Sequence, residues 1–493
     1  MSNTSETLVQ NPELFHQEGA RGSTDPVMGV NARFNKLDLP TFNPYNYDPN
    51  LKYKYNASAG MLVVPGETSD KVFVPKAVLE ASAKLEQDPQ NYAYIGPVMD
   101  KEHQRGVLDF FFTKPVREII EADYTYSFVF TAGGTQAVSN MFGITTKLPE
   151  SLTTSGQKQR TIGLGNPYWG GYDSILEAIA NNGNKPPMAT YELNDSEGNF
   201  NLKSLREFLQ NNKHCTIVLT SPNNPSGYVI PPSILENEIP QALKEHAERG
   251  GTVAVGFDLA YIHFIPAHPN YGEFLPKFLK ALGSTLGNNI YPYLLMSNSK
   301  SLGLYAKRVG YLGLILPKDK NGEQKWERAS ADFVDRCVGW QRGTAGNANM
   351  SLKLSRVLLT NPETQAELKA SIQKSLKEEI QPRIKTAVGA FRKQAQINNL
   401  GFENTKAGTY KISDKNGKVI ATLREPGTPY FMPIEFANSQ QAEKVAQHAE
   451  KDSNLFIVAA SNLVRVPTCI GTSQVVYEHW GAAIFKAISS VFG

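Results

Sequence analysis

The chain has 493 residues, 41% of them hydrophobic and 20% charged, the balance of a globular protein and not of a disordered or fibrous one. Two domains are the expectation at this length, and 50 Lys plus Arg against 47 Asp plus Glu leave a formal charge of +3, which selects neither nucleic acid nor an anionic membrane as partner. The polar start MSNTSETLVQNPELF has no basic-then-apolar signal segment and no long apolar run occurs, so a cytoplasmic protein without a membrane span is expected. Three widely spaced cysteines, Cys215, Cys337 and Cys469, fit a reducing compartment and form no metal or redox motif.

Residues 1–60, rich in Asn, Pro and Tyr (FNPYNYDPNLKYKYNAS), read as an irregular arm whose aromatics favour docking on a partner. From about residue 123, short β-branched runs alternate with helical stretches. YSFVFT, TIGLG, CTIVLTSP, GTVAVGFD, YPYLLMSNS and VGYLGLILP are expected strands, and TQAVSNMFGITTKL, GGYDSILEAIANN and LKSLREFLQNN are expected helices. Such alternation predicts an α/β domain over residues 61–345 on a mostly parallel sheet, with ligands at the carboxyl ends of its strands. From about residue 346 long charged helices, then GTPYFMPIEF, another helix and LFIVAASNLVRV, predict a smaller α+β domain over 346–493, to which the N-terminal segment contributes.

The chain lacks the GxxxxGK[ST] loop, the HExxH helix and the GxSxG elbow, and in GLGNPYWGG Tyr168 stands where a dinucleotide fingerprint needs its third glycine. What remains lies just after the expected strands. In SNSKSLGLYAKRVGYLG, Lys300 sits between Ser299 and Ser301 and two residues beyond Asn298, with Ser297 before it and Arg308 after it. A lysine ending a buried strand has a lowered pKa and Schiff-base chemistry within reach, and the serine hydroxyls with Arg308 make a phosphate site; the alternative is a surface loop with ordinary basic residues. In TAGGTQAVSN, the N–H groups of Gly133, Gly134, Thr135 and Gln136 open a helix that can hold an anion, or form a plain tight turn. Asn224 in SPNNPSG can offer its amide to a ligand oxygen or simply build the turn. Asp258, with Tyr261 close behind, ends its strand in a carboxylate that is costly without a cation, such as a protonated ring nitrogen. Trp169 can stack on a flat ring or pack in the core.

Taken in order, GGTQA, PYW, NNPSG, DLAY, SNSK and KRVG resemble the signature set of the fold-type I pyridoxal-phosphate enzymes, close to the class I aminotransferases of the aspartate aminotransferase kind, over about residues 90–475. The resemblance implies a large domain with a seven-stranded sheet and a smaller C-terminal one. It also implies pyridoxal 5'-phosphate on Lys300, with Asp258 at the ring nitrogen, Asn224 and Tyr261 at the phenolic oxygen and Trp169 on the ring face. Gly133, Gly134, Thr135, Gln136, Ser297, Ser299 and Arg308 are implied around the phosphate, and Tyr94 is implied to complete the neighbouring subunit's phosphate site, hence a homodimer. Arg465 is implied to grip the substrate's α-carboxylate, with Asn224 and Trp169 beside it, and Arg342 to read a distal carboxylate from the partner subunit. The activity implied is transfer of an amino group from an L-amino acid to a 2-oxo acid. Within the same fold the alternative is carbon–sulfur β-elimination, and outside catalysis a pyridoxal-phosphate-binding regulator.

Overall fold

The computed structural model describes residues 26–493 apart from 49, 59, 94, 95, 97, 154–156, 181–184, 320–322, 345–348 and 407. Two seven-stranded sheets organise it. The first runs Tyr124–Ala132, Val309–Pro317, Ile290–Ser297, Thr252–Asp258, His214–Thr220, Thr161–Asn166 and Met188–Glu192. Val309–Pro317 is antiparallel to both its neighbours and every other pairing is parallel. All seven residues of His214–Thr220 and the first six of Thr252–Asp258 are buried, because helices cover both faces of a parallel sheet and no solvent face is left for alternation.

The six expected strands are present, and the sheet's seventh is Met188–Glu192, whose MATYE pattern is half exposed at the sheet edge. The expected helices form at Gly133–Thr145, Gly171–Ala178 and Leu202–Asn211. One consequence of the topology positions the site. The carboxyl ends of Tyr124–Ala132, His214–Thr220, Thr252–Asp258 and Ile290–Ser297 share one end of the sheet, and the single antiparallel strand starts there, so Arg308 just before Val309 reaches the same end.

The second sheet is antiparallel except at its edge, where Tyr55–Ala57 pairs parallel with Leu455–Ile457. Leu455–Ala460, Leu463–Val466 and Met432–Phe436 follow, then Val419–Arg424, Thr409–Ser413 and Gly401–Lys406. Those last three strands escape sequence patterning, as does the closing helix Gln474–Phe492. The sequence pattern changes character near residue 345, but the hydrophobic core changes later. Side chains from Leu352 to Ile380 pack under the first sheet, and those from Ile384 onward pack under the second apart from Tyr430, Phe431 and Cys469, which join the first core.

The irregular arm expected over residues 1–60 is corrected from residue 26 on. Pro26–Lys36 is a helix whose Val30 and Phe34 pack on Phe456 and Val458 of the second sheet, and the strand Tyr55–Ala57 extends that sheet. An aromatic cluster of Phe42, Tyr47, Tyr53, Tyr55 and His479 fixes the segment between them. The aromatics that pointed to docking thus dock on their own chain; residues 1–25 lie outside the described residues.

Close helix packing makes one glycine irreplaceable. A Cβ on Gly106, in the helix Lys101–Phe111, would lie 2.0 Å from the carbonyl oxygen of Leu359. Backbone atoms cannot swing aside, so Gly106→Ala should destabilise the protein by about 1–3 kcal/mol through overpacking, read as a lower denaturation midpoint with an unchanged slope.

Candidate active site

At the carboxyl end of the first sheet lies a cavity of about 230 Å³ lined by Gly134, Thr135, Trp169, Thr220, Asn224, Asp258, Ala260, Tyr261, Ser297, Ser299, Lys300, Tyr305 and Arg308. Ser297 ends its strand and caps the short helix Asn298–Ser301, its hydroxyl accepting from the Ser299 N–H at 3.2 Å. That turn places Lys300 at the cavity. The Lys300 amine donates to the Gly60 carbonyl at 2.5 Å and lies 5.0 Å from the ring centre of Tyr305 and 5.7 Å from that of Tyr261. Burial, reinforced by the positive charges of Arg465 and Arg308, holds this amine down at about 8, so near neutrality a useful fraction is an unprotonated nucleophile.

Asp258 accepts from the Tyr172 hydroxyl at 2.7 Å and from the Ala260 N–H at 3.1 Å. Among the described residues no Lys, Arg or His pairs with it. Burial pushes its carboxyl up, opposed by those two hydrogen bonds; a cation arriving from a ligand would favour the ionised form. Tyr261 is 4% exposed, and burial raises its phenol well above the usual value, keeping it a proton donor.

On the far side, Arg308 sits in the left-handed region with φ 53°, a strain of about 1–3 kcal/mol of the kind concentrated at functional sites. Its guanidinium reaches the Ser299 hydroxyl at 3.4 Å and the Thr135 hydroxyl at 3.5 Å. With the start of the helix Gly133–Thr145 alongside, hydroxyls, a guanidinium and helix N–H groups form a cradle suited to a phosphate. Gly133, with φ 78°, backs onto this arginine, and a Cβ there would lie 2.5 Å from its Nη2.

From the second sheet comes Arg465, 3% exposed. It donates to Asn224 Oδ1 at 3.0 Å and to the Ser58 carbonyl at 2.5 Å, and its guanidinium lies 4.4 Å from the ring centre of Phe431. Asn224 thereby keeps its Nδ2 hydrogens without a protein acceptor among the described residues.

The fold therefore brings Gly134, Thr135, Trp169, Asn224, Asp258, Tyr261, Ser297, Ser299, Lys300 and Arg308 to one cavity, with Arg465 bound to one of its walls. Gly133 lies behind it, and Gln136 turns its Oε1 back to accept from the Ala132 N–H at 2.6 Å. Arg342 is exposed on the helix Lys325–Thr344, away from this cavity. Tyr94 lies outside the described residues. Sequence reasoning missed Tyr172, whose hydroxyl donates to Asp258; no local pattern marks it. It also missed Thr220, Ala260, Tyr305, Phe431 and Gly60, the last within a segment whose sequence gives no pattern.

The family model for aminotransferase class I and II matches residues 64–401. No curated protein matches the chain. Among solved structures, an aminotransferase from Anaerococcus prevotii is similar at 18% identity and TM-score 0.69, over 95% of this chain and 97% of that one. The cytoplasmic aspartate aminotransferase of Giardia lamblia is similar at 16% and 0.69, over 97% and 99%. The aromatic-amino-acid aminotransferase of Burkholderia pseudomallei, covalently bound to pyridoxal phosphate, is similar at 15% and 0.63, over 97% and 99%. At these identities the neighbours establish the fold.

Acylation of Lys300 in cofactor-free protein should rise about tenfold per pH unit below pH 8 and level off above it, because the unprotonated fraction saturates at the depressed value of about 8. Peptide mass spectrometry reads the rate; an ordinary lysine would keep climbing past pH 10.

Proposed function

The chain belongs to the aminotransferase class I and II family and is a pyridoxal-phosphate-dependent aminotransferase, and from that premise we propose how its own residues divide the work. Membership favours neither carbon–sulfur elimination nor a regulator. The observation that carries the assignment is Asp258, a desolvated carboxylate with no cation partner among the described residues, held in the same cavity as an amine of lowered pKa and a phosphate-sized cradle. Those three features match the ring nitrogen, the aldehyde and the phosphate of the cofactor. When bound, the cofactor supplies an electron sink conjugated to the amino acid's α-carbon.

Lys300 would hold the aldehyde carbon, and its free amine would move the proton at the substrate Cα. Asp258, oriented by Tyr172, would keep the ring nitrogen protonated. Asn224 Nδ2 and the Tyr261 hydroxyl donate to the phenolic oxygen, and Trp169 covers the ring. Gly134, Thr135, Ser297, Ser299 and Arg308 hold the phosphate. Arg465, preorganised by Asn224, the Ser58 carbonyl and the Phe431 ring, presents its fork to the α-carboxylate of the amino acid and then of the 2-oxo acid.

The working unit is proposed to be a homodimer in the cytoplasm, with Tyr94 completing the partner's phosphate site. Tyr92 and Val98, flanking it, are 63% and 60% exposed, an apolar surface that a second subunit would cover. No helix of the described residues is long and apolar enough to cross a membrane. The division into an N-terminal segment over 1–60, a cofactor-binding part over 61–345 and a C-terminal part over 346–493 is proposed on the same footing; two sheets support two parts, and the packing of Leu352 to Ile380 with the first sheet moves the boundary between them to about residue 380.

Incubation with an L-amino acid and 2-oxoglutarate should yield glutamate and the matching oxo acid; pyruvate and ammonia without consumption of the acceptor would overturn the reading. Lys300→Ala should lower turnover by about 100-fold to 10,000-fold, the range of a general base, while the purified variant still binds the cofactor. Arg342 is proposed to serve the neighbouring subunit, reading a distal carboxylate. Arg342→Ala should then raise KM for aspartate and leave that for phenylalanine unchanged; equal effects on both donors would remove Arg342 from the site.

A further inference from the structure

A second cavity, of about 260 Å³, lies at the opposite, amino end of the same parallel strands. Tyr291 and Tyr293 come from the first half of the strand that ends in Ser297, and Ala254 from the first half of the strand that ends in Asp258. Trp326, Ala329 and Phe333 of the helix Lys325–Thr344 form the opposite wall.

Beside these aromatic walls stands Arg160, 6% exposed. Among the described residues its side-chain hydrogen bonds leave from Nη1, to Thr252 Oγ1 at 2.7 Å, to the Thr252 carbonyl at 3.0 Å and to the Cys215 carbonyl at 3.5 Å. Among the described residues Nε and Nη2 have no acceptor and no carboxylate pairs with the group. The acid at the cavity, Asp332, is already bound to Arg336 at 2.7 Å, so Lys147 and Arg160 leave the lining positive. A buried guanidinium without a counter-charge is costly, and the edge formed by Nε and Nη2 is the one that receives a carboxylate through two parallel hydrogen bonds.

We propose that this cavity is a second ligand site, one that takes an aromatic monocarboxylate, its carboxylate on the Nε and Nη2 edge of Arg160 and its ring between Tyr293, Trp326 and Phe333. The occupant is separate from the amino acid and oxo acid of the reaction. It touches Ile144 and Thr145, the last turn of the helix whose first turn carries Gly134 and Thr135, so both sites share one rigid element.

Benzoate titrated into the holoenzyme should change tryptophan emission saturably, and Trp326→Phe should remove that change. Arg160→Lys keeps the charge but loses the fork and should weaken binding about tenfold or more. Ala329→Phe, which places a ring in the cavity, should abolish saturation while transamination stays within about twofold of wild type. This second variant keeps the test sound if Arg160→Lys folds poorly, since Arg160 also ties the starts of two strands. The proposal falls if wild type shows no saturable change, or if the change persists undiminished in Ala329→Phe and benzoate instead competes with the amino donor at the Lys300 site.

Discussion

The site depends on a buried carboxylate that no cation among the described residues pairs with. Asp258 ends a strand buried along its length, and among the described residues its partners are the hydroxyl of Tyr172 and one backbone N–H. In a low-dielectric setting such a group is unfavourable until a cation meets it. The fold places three cationic side chains nearby yet engages each of them elsewhere. Lys300 is held by the Gly60 carbonyl, Arg308 by the hydroxyls of Ser299 and Thr135, and Arg465 by Asn224 and the Ser58 carbonyl. None neutralises Asp258, so the free energy of desolvation is left to be recovered by the ligand.

The same separation requires the two sheets to meet at one point. Residues 55–57 belong to the second sheet, while Ser58, Gly60 and Leu62 directly beyond them bind Arg465, Lys300 and the hydroxyl of Tyr305. A short stretch of the N-terminal segment thus ties Arg465 to Lys300. Tyr430 and Phe431, just before a strand of the second sheet, pack edge-on against Tyr261 and close the same wall.

Behind the lysine turn runs a buried polar chain. Asn298 donates to the Tyr311 hydroxyl at 3.2 Å, that hydroxyl meets Ser355 at 2.5 Å, and Ser355 meets His103 at 2.7 Å. Burial holds His103 down at about 4, so the chain stays uncharged near neutrality and acts as a fixed support for the turn that carries Lys300.

Strand positions and the end of the sheet at which chemistry would gather were legible in the chain itself, because runs buried on both faces must be continuously apolar and polar residues at their ends then stand out. Lys300, Asp258, Asn224 and Arg308 could be picked out for that reason. Tyr172, Gly60 and Phe431 could not, since nothing local distinguishes a tyrosine in a helix, a glycine in an unpatterned segment or a phenylalanine before a strand. Their roles arise from contacts across 86, 240 and 34 positions of sequence. The strands between residues 401 and 424 were equally hidden, because a short antiparallel hairpin owes its form to cross-strand partners. Sequence periodicity thus determined which segments are buried; only the folded chain decided which distant side chains share one desolvated space, and that sharing is what shifts a lysine and an aspartate into chemical readiness.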